Sequence, residues 1–174
     1  MGTRILGIIG VLIVVAGFVA FSSFYTLHQT QQALVLQFGN PVDVITKPGL
    51  KFKIPFIQNV EFMENRILSF DAPAEEIIAS DQKRLVVDSF IRYKISDALE
   101  FYKSVSSVNI ARSRLSTILT SSLRRVLGSV PLATVLTGER GELMEQIRDS
   151  VNSESRSLGS DVVDVRIKRA DLPE

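Results

Sequence analysis

Residues 5–25, ILGIIGVLIVVAGFVAFSSFY, carry no charged side chain. Wound as a helix at ~1.5 Å per residue, this stretch is about 31 Å long. A bilayer hydrocarbon core is about 30 Å thick. The sequence therefore predicts a transmembrane helix over 5–25 and a body that works at a membrane surface. Arg4 and the terminal amine precede the run, and the next formal charges are Asp43 and Lys47. The positive-inside bias then predicts a cytoplasmic N-terminus, residues 1–4, and a translocated body. Phe21, Phe24 and Tyr25 fall at the far end, where interfacial aromatics gather, and are candidate membrane contacts. The competing reading is a cleaved leader, with small residues around Ala20-Phe21-Ser22. The apolar run is longer than the usual leader core of about 7–15 residues, which favours an uncleaved anchor.

With Arg4 set aside, Lys+Arg falls from 20 to 19 and equals the 19 Asp+Glu. A neutral body with interspersed signs offers no basic field for nucleic acid. The absence of Cys excludes disulfides, thiolate metal sites and Cys nucleophiles.

Residues 31–96 read as strands and turns. Gln32–Phe38 is an apolar run closed by Gly39-Asn40-Pro41, and Pro48-Gly49 makes a second turn. Leu50, Phe52 and Ile54 then alternate with Lys51 and Lys53, which predicts one buried and one wet face. Val60–Phe70 reads as a weaker strand pair. Arg84–Ile95 is a strand with Leu85, Val87, Ile91, Tyr93 and Ile95 on one face, returning from the polar turn Ser80-Asp81-Gln82. The period then becomes helical. Leu115, Ile118, Leu119, Leu123, Val126 and Leu127 form one stripe, with Asn109 as expected cap and Gly128 as expected left-handed stop. Pro131 is expected to open a short helix. A further helix is expected from about Glu139 to Leu158, ended by Gly159. A last strand, Asp161–Arg169, is expected to turn Val163, Val165 and Ile167 inward. Strands, then helices, then a returning strand imply an α+β fold.

No chemical constellation emerges. The single His, His28, lies just past the predicted span, away from any structured Ser, so a Ser-His-Asp triad has no base. With one His and no Cys a zinc site would need several carboxylates, and no HExxH-type spacing exists. No Ser sits in a GxSxG or SxxK motif, although composition leaves a Ser-Lys dyad open. Gly138-Glu139-Arg140-Gly141 lacks the GK[ST] ending of a phosphate loop. Glu75-Glu76 would point to opposite faces of a strand. The expected catalytic, metal and cofactor sites are therefore none. Pro55-Phe56-Ile57 is an apolar tip between two predicted strands. It either folds back onto the core or inserts into the membrane leaflet that the anchor reaches.

Several segments, in order along nearly the whole chain, match a known pattern. They are QQALVLQFG (31–39), PGLKFKIPFI (48–57), KRLVVD (83–88), SLRRVLG (122–128), GER (138–140) and VVDVRIKRADLP (162–173). Through them the chain resembles the SPFH (stomatin/prohibitin/flotillin/HflK-C) superfamily, also called band 7. The last segment points to its HflC-like branch of protease-modulator subunits. The resemblance implies one transmembrane helix followed by two small SPFH lobes: a mainly β lobe over 26–96, and helices plus a final strand over 97–174. It implies a single-pass protein of the bacterial inner membrane with a periplasmic body. It also implies a hetero-oligomer with an HflK-like paralogue that encloses an FtsH-like membrane AAA protease and restricts its substrates. On this reading the chain is a non-enzymatic scaffold without cofactor, whose partners are those proteins and the lipid bilayer. Other members organise membrane microdomains without a dedicated protease partner, which is the alternative. A membrane-tethered Ser-Lys hydrolase is the lower one. Members of the superfamily continue into a long coiled coil; with Glu174 as the last residue, the chain is expected to lack it.

Overall fold

The computed structural model describes residues 2–131, 133–134 and 140–171. Side chains are described for the same residues apart from 2–9, 11, 140, 170 and 171. The chain divides into two compact units, residues 1–63 and 64–174.

In the first unit, helix α1 spans Gly2–Ser22. It stops three residues before the expected end of the apolar run. The Ser23 hydroxyl bonds the Val19 carbonyl (2.7 Å), and the chain then enters strand β1, Phe24–Leu27. Phe24 and Tyr25, expected at the end of the span, therefore lie on a strand. Among the described residues no helix is long and apolar enough to cross a membrane. The side chain of Arg4 lies outside those described.

Strand β2 (Gln31–Gln37) lies between β3 (Asn40–Ile45) and β5 (Gln58–Glu64). Residues 32–36 are buried on both faces, as a near-continuous apolar run in a central strand should be. Strand β3 occupies a segment where a turn was expected at Asn40-Pro41. It is an edge strand, where Pro is tolerated because no ladder donor is lost there. Strand β4 (Gly49–Phe52) pairs antiparallel with β1, from Phe24↔Phe52 to Leu27↔Gly49.

The second unit is built on the sheet β6-β7-β8, formed by Leu68–Ile78, Arg84–Ile95 and Ser160–Asp171. The last strand returns to pair with β7 throughout, so the division falls at 63/64 and not at the expected 96/97. Helices α2 (Ala98–Val105), α3 (Val108–Leu127) and α4 (Arg140–Ser155) connect β7 to β8. Leu85, Val87, Ile91, Tyr93 and Ile95 share the buried face of β7, as their alternation predicts. Leu115, Leu119, Leu123 and Leu127 at four-residue spacing fill the core side of α3; Ile118 and Val126, expected on the same stripe, are half-buried at its margin. Leu143, Ile147 and Val151 do the same for α4.

Local signals were partly displaced. Ser107, not Asn109, caps α3 by accepting from the Ile110 N–H (3.3 Å). Gly128 is right-handed (φ −68°), so its role is close approach: a Cβ there would lie 2.5 Å from the Arg124 carbonyl oxygen. Ala133 and Thr134 are helical after Pro131, with the Thr134 N–H bonded to the Pro131 carbonyl (3.0 Å). The expected helix start at Gly138-Glu139 lies outside the described residues, as do Leu172 and Pro173. In β8 the inward residues are Val162, Val165 and Ile167, whereas Val163 is 44% exposed. A bulge explains the slip: Arg92 opposes Asp164 but Tyr93 opposes Val162, which leaves Val163 as an extra residue. Asn152 Oδ1 accepts from the Val162 N–H (2.9 Å) and helps hold the bulge. A second shift, at Asp88/Ser89, leaves Lys168 without a strand partner. Its ammonium crosses the Phe90 ring and pairs with Asp71 of β6 (2.6 Å).

Gly159 ends the short 3-10 turn Arg156–Leu158 in a left-handed conformation (φ 69°). Its carbonyl accepts from Ser96 and Asp97 (both 3.1 Å), and a Cβ would lie 2.5 Å from the Asp97 oxygen. Gly159→Ala combines positive φ with a backbone clash and is expected to cost about 2 kcal/mol or more in denaturant unfolding. Tyr93 is fully buried, and burial raises its phenol above the ordinary value, with Arg112 opposing. A raised folded-state pKa leaves stability intact below the unfolded value. It is lost as pH rises past about 10, because the unfolded chain releases the proton first. Denaturant midpoints should fall over that window, and Tyr93→Phe should flatten the fall.

Candidate membrane-contact site

The β1–β4 ribbon starts two residues beyond α1 and folds back against that helix end. The Lys53 N–H donates to the carbonyl of Ser23 (2.8 Å), the first residue after α1. Residues 49–53 are thereby held at the foot of the apolar helix.

The ribbon's two faces are the reverse of what burial of its apolar side would give. Leu50 and Phe52 are 68% and 63% exposed, and Ile54 is exposed beyond them. Lys51 and Lys53 are half-buried on the other face, where Lys51 opposes Tyr25. The expected alternation of one buried and one wet face is present, and the cationic face is the more buried of the two. Phe24 and Phe52 oppose each other on the exposed face and meet edge to face, with ring centroids 5.9 Å apart. Such contact adds about 0.5–1.5 kcal/mol beyond burial. Tyr25 turns the other way, half-buried against Phe62 at 6.0 Å.

Beyond the ribbon the chain closes a tight loop. The Ile54 N–H donates to Gln58 Oε1 (2.8 Å), and the Gln58 N–H donates to the Ile54 carbonyl (2.9 Å). Phe56 stands at the loop's apex, 83% exposed with φ 68°. Ile57 is exposed and Pro55 half-buried. For a bulky side chain, positive φ is strained by roughly 1–2 kcal/mol. Phe21, on the last turn of α1, is also exposed.

The structure thus gathers Phe24, Phe52, Ile54, Phe56 and Ile57 along one ribbon and its loop, next in the chain to Phe21. Leu50 and Phe52 were missed as surface residues because alternation says that two faces differ, not which one meets the core.

The other candidate sites stay dispersed. His28 is exposed in the turn after β1. Glu75 pairs with Arg124 (3.0 Å) and Glu76 with Arg84 (3.3 Å), so the two carboxylates serve separate surface ion pairs. Arg125 in the last turn of α3 pairs with Glu154 (3.2 Å). Among the described residues no group of three or more His, Cys, Asp or Glu could hold a metal ion.

Residues 25–174 match the SPFH domain / Band 7 family. The chain belongs to that family. Among curated SPFH relatives, Protein HflC of Haemophilus influenzae is 34% identical over 94% of this chain and 59% of its own length. Protein HflC of Buchnera aphidicola subsp. Schizaphis graminum is 30% identical over 87% of this chain and 57% of its own length. The Escherichia coli K12 relative, named Modulator of FtsH protease HflC, is 27% identical over 93% of this chain and 63% of its own length. The chain spans about three fifths of the length of these relatives. The match starts at Tyr25, one residue into β1, so all of the ribbon but Phe24 lies inside the SPFH match and α1 precedes it.

Gln58→Ala removes the acceptor that closes the loop at Ile54. The expected cost is about 1 kcal/mol, read as roughly five-fold faster hydrogen exchange at the Ile54 amide. Unchanged exchange there would show that the loop is held without Gln58.

Proposed function

We propose that this chain is a non-enzymatic, membrane-anchored scaffold subunit that modulates an FtsH-like membrane AAA protease. Helix α1 is its single transmembrane anchor, with Arg4 on the cytoplasmic side and the SPFH domain in the periplasm of a bacterial inner membrane. The domain assembles with an HflK-like paralogue into a hetero-oligomer that restricts which substrates reach the protease. The E. coli relative is named as a modulator of FtsH protease, which supports the protease partner.

One observation of the fold carries the membrane part of this reading. The apolar side of the β1–β4 ribbon faces outward at the foot of an uncharged apolar helix end. A soluble domain would turn that side inward, since each Leu or Phe left in water forgoes about 1.5–3 kcal/mol of burial. Set at the headgroup–acyl boundary, the same side chains recover most of that energy. Phe21, Phe24, Phe56 and Ile57 are the proposed membrane contacts, with Pro55 shaping the tip. Tyr25 contributes through its packing on Phe62.

The outer strands of the second unit's sheet, β6 and β8, are the proposed edges for neighbouring subunits. The test is crosslinking in native membranes that hold this chain, an HflK-like paralogue and an FtsH-like protease, read by mass spectrometry. The expected result is crosslinks from the SPFH domain to the paralogue and a protease population that migrates with both. Absence of this chain from every complex containing the protease would contradict the proposal.

A further inference from the structure

The hairpin joining β2 to β3 carries a phenylalanine where its geometry calls for another residue. Gln37 opposes Asn40, which leaves Phe38-Gly39 as a two-residue loop. Both residues have positive φ, 52° and 86°, the pattern of a type I′ turn. Asn-Gly suits such a turn, because Asn tolerates the left-handed region and Phe does not. Phe38 has no compensating burial: it is 79% exposed.

Phe38 is also fixed beside the other strained aromatic tip. Its N–H donates to the Ile57 carbonyl (3.4 Å), so two loops far apart in sequence are joined backbone to backbone. Phe56, adjacent to that carbonyl, has φ 68° and is 83% exposed. The two phenylalanines are thus left-handed, exposed and held by neighbouring backbone groups. Backbone strain that no packing of the side chain offsets points to a function for that side chain.

We propose that Phe38 is a second-loop membrane contact, and that Phe38 and Phe56 together form a two-loop aromatic wedge seated in the phospholipid leaflet that α1 enters. The proposal rests on the membrane reading of the Pro55-Phe56-Ile57 tip. Continuity with α1 selects a bilayer as the occupant. The Lys53–Ser23 hydrogen bond ties the ribbon to the helix end, and the Gln58 clamp ties the ribbon to the Phe56 loop. Between Asp43 and Glu61 the charged residues are Lys47, Lys51 and Lys53, with no further acid to repel a phospholipid surface.

The chain contains no Trp, so a single introduced Trp reports its own depth. The full chain carrying Phe38→Trp is reconstituted in phosphatidylethanolamine/phosphatidylglycerol vesicles with brominated acyl chains. Phe56→Trp and Val14→Trp are run in parallel, and N-acetyltryptophanamide serves as the aqueous reference. Trp keeps the aromatic bulk, and circular dichroism verifies folding of each variant. The expected result is blue-shifted emission and about two-fold or greater quenching for Phe38→Trp and Phe56→Trp. Quenching at 56 but not at 38 overturns the role of Phe38 and leaves the tip reading standing. Quenching at 14 alone overturns both. Quenching at 38 but not at 56 upholds Phe38 as a contact and overturns the wedge.

Discussion

The hydrogen bond from the Lys53 N–H to the Ser23 carbonyl, 2.8 Å, sets the geometry on which the functional surface depends. It closes the β1–β4 ribbon against the first residue after α1 and so fixes where residues 49–57 stand relative to the helix end. Once β1 pairs with β4 in this register, Phe24 meets Phe52 and Leu50 follows on the same face. Outward exposure of that face is then a consequence of pleat. Turning it inward would require a one-residue slip that would expose Tyr25 and Leu27 instead.

The second unit is held by different physics. Its sheet is covered by helices whose leucines recur at four-residue spacing, and its returning strand β8 fits only through two bulges. Those bulges put Val163 on the surface and send Lys168 across Phe90 to Asp71. Gly159 sets the start of the returning strand, since its close approach to Asp97 leaves no room for a side chain. The exposed large apolar side chains of this unit, Ile67, Ile78, Ile110 and Val163, lie on separate segments, whereas the first unit gathers Phe24, Leu50, Phe52, Ile54 and Phe56 along one ribbon and its loop. That difference is why the proposed membrane contacts are drawn from the first unit.

How much of this was legible in sequence depended on which physical rule governed each element. The β7 face and the α3 stripe were read correctly in outline, because burial on one side imposes a period that local chemistry cannot disguise. Strand β1 was hidden inside the apolar run, where Phe24 and Tyr25 look like more helix. Strand β3 was hidden by Asn40-Pro41, a pair that signals a turn but here lies on a sheet edge. Val163 was misassigned because a bulge shifts the alternation by one residue without a sequence mark. At 50–54 the alternation showed that one face is buried and one wet, but it carries no label for which of them meets the core. Phe38 escaped notice because a turn residue is recognised by suitability, and Phe is unsuited to the conformation it holds. The family, by contrast, was legible through ordered segments spread along the chain, and the match over residues 25–174 rests on the same stretch.

The central claim is that the exposed ribbon and its loop meet lipid while α1 crosses it. A phospholipid bearing a photoreactive group in its acyl chain, incorporated into vesicles with the full chain, tests this directly. After illumination, peptide mass spectrometry reads which residues carry lipid adducts. The account predicts adducts in the α1 peptides and also in peptides covering residues 50–57. Adducts confined to α1, with residues 50–57 unlabelled at equal peptide coverage, would contradict it.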